Sequence, residues 1–137
     1  MRSKLPTLAA LAVAMGFPVP AVGQTAPLAG SEWRPTEIAG VEIAEDTEIF
    51  VSFEDGEVTG NGGCNQFFGS YKIEGGAIAF GPIASTKMLC PDPVQQNEDH
   101  LFEVLSQIAG FRRDGTELEL TAEAGEPLVR LVQTDAD

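Results

Sequence analysis

The sequence predicts a mainly β protein: a small antiparallel sandwich or barrel-like fold with one α-helix packed on it or capping it. Three observations predict this. Short runs of alternating apolar and polar residues recur between glycine-bearing turns, one segment alone switches to a helical period, and 137 residues suit a single domain. Closing such a sheet into a barrel also removes the exposed edges that invite aggregation.

The N-terminal segment comes first. "MRSKLPTLAALAVAMGFPVPAVGQ" opens with Arg2 and Lys4, runs apolar from Leu8 to Phe17 and ends on Ala21-Val22-Gly23. That is the layout of a signal peptide over 1–23, cleaved after Gly23. The apolar run falls short of the roughly 20 residues of a membrane span. Pro18 and Pro20 argue against a buried helix, because an interior proline loses a hydrogen bond and clashes with the preceding turn. No cysteine stands near the cleavage point to carry a lipid. The expectation is a periplasmic or secreted, monomeric protein without a membrane span.

The strands follow. In "TEIFVSFEDGEV", Ile49, Val51 and Phe53 alternate with Glu48, Phe50 and Ser52 before Asp55-Gly56 turns the chain into Val58. Alternation around an Asp-Gly is a strong hairpin signal. "FFGSYKI" and "AIAF" flank Glu74-Gly75-Gly76, with Ile78 and Phe80 on one face. "FRRDGTELEL" turns at Asp114-Gly115 and aligns Leu118 with Leu120, and "PLVRLV" supplies a last strand after the turn at 123–127. About eight strands are expected in all.

The helix is expected over Pro93–Ala109. Val94, Leu101, Leu105 and Ile108 form its apolar stripe, flanked by Phe102 and Ala109. Asp92 suits the N-cap, Pro93 the first helical position and Gln95 a capping box, and Gly110 suits the left-handed residue that ends many helices. Residues 133–137 read as an acidic C-terminal tail, frayed from Thr134 onward.

Charge excludes one function class. The chain carries 8 basic and 21 acidic residues, a formal charge of −13; loss of Arg2 and Lys4 leaves 6 against 21, or −15. Nucleic-acid binding relies on Lys and Arg displacing counterions, so no nucleic-acid partner is expected. The run Glu42, Glu45, Asp46, Glu48 reads as a solvated face.

The run "GNGGCNQFFGSY" invites a catalytic or phosphate-binding reading, and both fail. A phosphate loop needs a helix directly after it, whereas a strand-like stretch follows here. A Cys64 nucleophile would need His100, the single histidine, which the helical wheel turns toward solvent. One distant histidine and two cysteines lack the paired spacing of a metal site. No catalytic, cofactor-binding or metal-ligating residue is assigned. Gly60, Gly62 and Gly63 instead permit positive φ or close backbone approach, and Asn65 can bond neighbouring backbone groups. Cys64 and Cys90 are the whole thiol inventory, either a disulfide or two buried reduced thiols. A bridge across 26 residues would stabilise by about 3–4 kcal/mol on the chain-entropy model.

Here the residues resemble a known family. Gly63, Cys64, Asn65, Phe67, Gly69 and Tyr71 in "GCNQFFGSY" are similar to the first motif of the META domain, the HslJ-like family. Thr86, Met88 and Cys90 in "PIASTKMLC" are similar to its second. Leu89 stands where family members tend to carry a smaller residue. "GSEWRPTEIAG", with Trp33, resembles the family's opening strand, and the likeness spans 28–132. The resemblance implies a lipocalin-type barrel with one helix, no enzymatic activity, no cofactor, and an association with heat shock and envelope stress. With both cysteines in the paired motifs, the disulfide becomes the expected state. Two roles follow: a structural or interaction module binding another envelope protein, or alternatively a carrier of a small apolar ligand inside the barrel. Seven phenylalanines in the mature chain are expected to fill that interior, which favours the module.

Overall fold

The computed structural model describes residues 27–135, so the signal-peptide expectation lies outside it. An eight-strand antiparallel barrel forms, closed by pairing of its first strand with its last. Its staves are β1 (Ser31–Ile38), β3 (Phe50–Phe53), β4 (Glu57–Asn61), β5 (Gln66–Glu74), β6 (Ala77–Phe80), β8 (Gly110–Asp114), β9 (Glu117–Thr121) and β10 (Pro127–Gln133). Two short strands sit off the ring: β2 (Val41–Glu42) pairs with β1, and β7 (Ala84–Ser85) with β5. One seam is thin. β6 meets β8 through the single pair Ala77–Gly110.

The alternation seen in sequence is the pleat facing the core. Ile49, Val51 and Phe53 point inward and are at most 2 % exposed, and Leu118 and Leu120 do the same on β9. Gly56 and Gly115 take positive φ in the tight turns, which their Asp-Gly pairs announce. Trp33 is fully buried on β1, its indole N–H donating to Ser31 Oγ, which in turn donates to the carbonyl of Leu28.

Helix α1 (Val94–Leu105) sets Leu101, Val104 and Leu105 into the same core as the strands. Several expectations about it need correction. Asp92 is exposed and caps nothing; Pro93 is the cap residue, and the amides of Val94 and Gln95 bond to the Pro91 carbonyl. Gln95 Oε1 accepts from the amide of Cys90, outside the helix, instead of closing a capping box. The helix stops at Leu105, while Ile108 stays buried in the following turn. Gly110 begins β8, where a Cβ would lie 2.9 Å from Thr121 Oγ1. Close strand approach, not a left-handed cap, requires that glycine.

Two further expectations change. Only Phe53 and Phe67 of the seven phenylalanines are fully buried, and Phe68 faces outward at 55 % exposure. Aliphatic residues, Trp33 and Tyr71 fill the rest of the interior, with Phe80, Phe102 and Phe111 packed against its margin. The tail begins later than expected, because Gln133 belongs to β10, Thr134 donates its amide to the Glu32 carbonyl, and Asp135 accepts from the Glu32 amide.

Candidate functional site

The two motifs meet at one point. β4 ends at Asn61, and residues 62–65 cross to β5. Asn61 Oδ1 accepts from the Gly63 amide at 2.7 Å, and Gly63 takes φ +114°, a value that side chains rarely allow. Gly62 is needed for space, since a Cβ there would sit 2.6 Å from Glu98 Cγ.

Glu98, reaching from the second turn of α1, is 1 % exposed and pairs with no cation among the described residues. Backbone and amide donors satisfy it. Its Oε2 accepts from the amides of Cys64 at 3.1 Å and Asn65 at 2.5 Å, and its Oε1 accepts from Asn65 Nδ2 at 2.7 Å. Amides converging on a carboxylate form charge-assisted bonds, stronger than neutral ones.

Asn65, 3 % exposed, is the hub. Its Nδ2 donates to Glu98 and to the Met88 carbonyl at 3.0 Å, and its Oδ1 accepts from Thr86 Oγ1 at 2.8 Å and the Met88 amide at 2.7 Å. Both donors and both lone pairs are therefore used. The expectation that Asn65 bonds its neighbours is corrected: its side-chain partners lie 21 or more residues away. Thr86 completes a two-way link to β5, accepting at its Oγ1 from the Gln66 amide and donating its own amide to the Gln66 carbonyl.

The Cys64–Cys90 disulfide adds a covalent tie across a Cα separation of 6.0 Å, so the two-thiol alternative falls away. One short segment, Thr86–Cys90, is thus held by Asn65 on one side and the bridge on the other. Thr86 and Cys90 turn their side chains into that anchorage, whereas those of Met88 and Leu89 between them are 58 % and 89 % exposed.

The other motif residues run down β5, away from the hub. Phe67 is buried and meets Phe102 of α1 edge-on at 5.6 Å. Gly69 lets residues 82–83 cross it, for a Cβ would lie 2.8 Å from Ile83 Cδ1. Tyr71 donates its hydroxyl to the Glu54 carbonyl at 2.6 Å and packs edge-on against Phe53 at 5.2 Å. Burial raises its pKa above the ordinary 10.0, with the charges of Asp55 and Glu54 adding to the effect. His100 is partly buried on α1 and joins none of these groups.

Glu98 is the member that sequence reasoning missed. A signal was present: it sits on the α1 stripe, four residues after Val94 and three before Leu101, where an apolar residue would be expected.

Comparison with known proteins agrees with this architecture. A family model for the META domain matches residues 26–135. A solution structure of a protein from Burkholderia xenovorans is similar at 20 % identity with a TM-score of 0.66, covering 96 % of this chain and all of that one. A second solution structure matches at 20 % identity and TM-score 0.63, over 77 % of this chain and 91 % of its own. A crystal structure of a DUF4847 family protein from Bacteroides vulgatus ATCC 8482 matches at 15 % identity and TM-score 0.58, over 80 % and 96 %. At these identities the likeness is one of fold. No curated protein matches the chain.

Proposed function

Because the chain belongs to the META domain family, we propose that it works as an exported, non-enzymatic interaction module of the cell envelope, in the stress setting typical of its resemblance. One observation carries this reading: Met88 and Leu89 are held out to solvent on a backbone tied by Asn65 and the disulfide. An exposed apolar pair on a loose loop would lose entropy on docking, and here that ordering has already occurred in the free protein. Apolar anchors on a preorganised surface are what a protein partner with a complementary pocket would grip.

Two features support a role without catalysis. Both thiols are consumed in one bridge, and the buried Glu98 carboxylate is saturated by structural donors. The disulfide also suits the oxidising compartment to which a signal peptide would deliver the chain. The carrier alternative is weakened by the barrel interior, where Trp33, Phe53, Phe67 and Leu131 occupy the space a ligand would need.

A photo-crosslinking residue in place of Leu89 tests the reading in envelope extract. A discrete adduct should form that is absent when the same probe replaces exposed Glu103 and is outcompeted by unlabelled wild type but not by Met88→Ser. Adducts that form equally at both positions, or a small apolar molecule retained by the purified protein in native mass spectrometry, would overturn it.

A further inference from the structure

A broad depression lies beside the hub, between the β2–β3 connection and the first turn of α1. It measures about 560 Å³, and Val41, Ile49 and Val94 give it an apolar floor. Val41 is 45 % exposed there, which leaves part of that floor open to a ligand. Glu42, Asp46 and Glu48 line the same groove, and no Lys or Arg does. None of these three carboxylates is paired: the ion pairs among the described residues gather around Arg112 and Arg130. The N-terminal end of α1 opens here too and would by itself favour an anion, but its roughly half unit of positive charge is outweighed by three full negative ones.

We infer that this groove docks a cationic, partly apolar peptide segment of another exported protein, with Lys or Arg heads over Glu42, Asp46 and Glu48 and an aliphatic side chain on the Val41–Ile49–Val94 floor. Charge complementarity selects the cation, and the whole chain's charge of −13 would steer it inward. The apolar floor selects against a purely hydrophilic polycation. A peptide fits better than a small molecule because the groove is open along its solvent side, whereas small-molecule sites enclose most of their ligand. This surface is separate from the Met88–Leu89 tip, so either can fail without the other.

The test uses mature protein and a capped peptide of alternating Lys and Leu, with binding followed by calorimetry and by amide chemical shifts. Shifts should concentrate at residues 41–49, 63 and 93–97. Glu42→Gln, Asp46→Asn and Glu48→Gln together should weaken binding by roughly tenfold, the combined effect of three solvent-facing charge pairs, and added salt should do likewise. Val41→Ser should weaken it while leaving the salt dependence intact, and Leu89→Ser should leave binding unchanged. All five substituted positions are exposed, so thermal melting should confirm folded variants. Equal binding of a Lys–Ser peptide, shifts spread over the whole acidic surface, or tighter binding of a small tetraalkylammonium ion than of the peptide would each overturn the inference.

Discussion

Removing the carboxylate of Glu98 should unlatch the two halves of the site. In Glu98→Ala the amides of Cys64 and Asn65 and one proton of Asn65 Nδ2 lose their acceptor together. A hydrogen bond to a charged group is worth about 1.5–3 kcal/mol, but three sharing one carboxylate are not additive, and water can reach part of the vacated space. An overall loss of about 3–5 kcal/mol is expected, because each buried donor left without an acceptor costs about 1–3 kcal/mol and entering water restores part of it. Domains of this kind have roughly 5–15 kcal/mol to lose, so the variant should fold but melt much earlier. Glu98→Gln keeps one oxygen for the two backbone amides and turns an NH2 toward Asn65 Nδ2, so about 1.5–3 kcal/mol is expected. Glu98→Leu is the discriminating variant. It restores an apolar stripe from Val94 to Leu105 while leaving the donors unmet. Trp33, the single tryptophan and fully buried, reports unfolding in denaturant, and hydrogen exchange reads the Cys64 and Asn65 amides directly. Should Glu98→Leu match wild type within about 1 kcal/mol, with both amides still protected, the carboxylate would be only a tolerated passenger in the core.

Other expectations follow from the same structure. Replacing both cysteines by Ala should cost about 3.5 kcal/mol on the chain-entropy model for a 26-residue separation, measured by denaturant unfolding against the oxidised protein. Leu105→Ala, at a side chain 1 % exposed, should cost about 2–5 kcal/mol in the same assay. Tyr71 is the single tyrosine, so its ionisation can be followed by absorbance; the native midpoint should lie above 10.0 and return to the ordinary value in denaturant. Since the folded value is raised, its contribution is complete below the unfolded pKa and lost as pH climbs through the folded one, and Tyr71→Phe should abolish that alkaline decline. Glu119 behaves oppositely: the hydrogen bond from Arg112 lowers its pKa from 4.5, so a small stabilisation present above that value should fade as pH falls through the folded pKa, and Glu119→Gln should remove the dependence.

What could be read from sequence was what local periodicity and turn chemistry encode. Ile49, Val51 and Phe53 announce a half-buried strand because the pleat has period two, and Asp55-Gly56 and Asp114-Gly115 announce turns because glycine supplies their positive φ. The Leu101–Leu105 spacing likewise announces the helix. Closure through β10 on β1 and the thin β6–β8 seam depend on pairings between distant segments, which no local pattern specifies. Gly110 misled because a glycine after a helix suits a cap and a tight strand contact equally. At the site, the motif residues were identifiable but their partners were not. Asn65 looks like a turn residue in sequence, and only the fold brings Thr86, Met88 and Glu98 around its four bonding positions.

The first two turns of α1 give the two surfaces a common support. Val94 and Asn97 line the acidic groove, and Glu98, the next residue, latches the 62–65 connection and, through Asn65, the backbone of Met88. A substitution that loosens the hub should therefore disturb groove and tip together, whereas the groove acids and Leu89 are exposed and can be changed singly. Asn65→Asp separates these cases. It sets a carboxylate oxygen against Glu98 Oε1 and the Met88 carbonyl, where two donated bonds stood, in a site 3 % exposed. A cost of about 3 kcal/mol or more is expected, because a second buried charge gains no partner. Amide exchange should rise at residues 62–65 and 86–90 while the β8–β10 strands, anchored by their own ladder, stay protected. Uniform loss of protection across the barrel would mean that the hub is part of one cooperative core and not a separable latch.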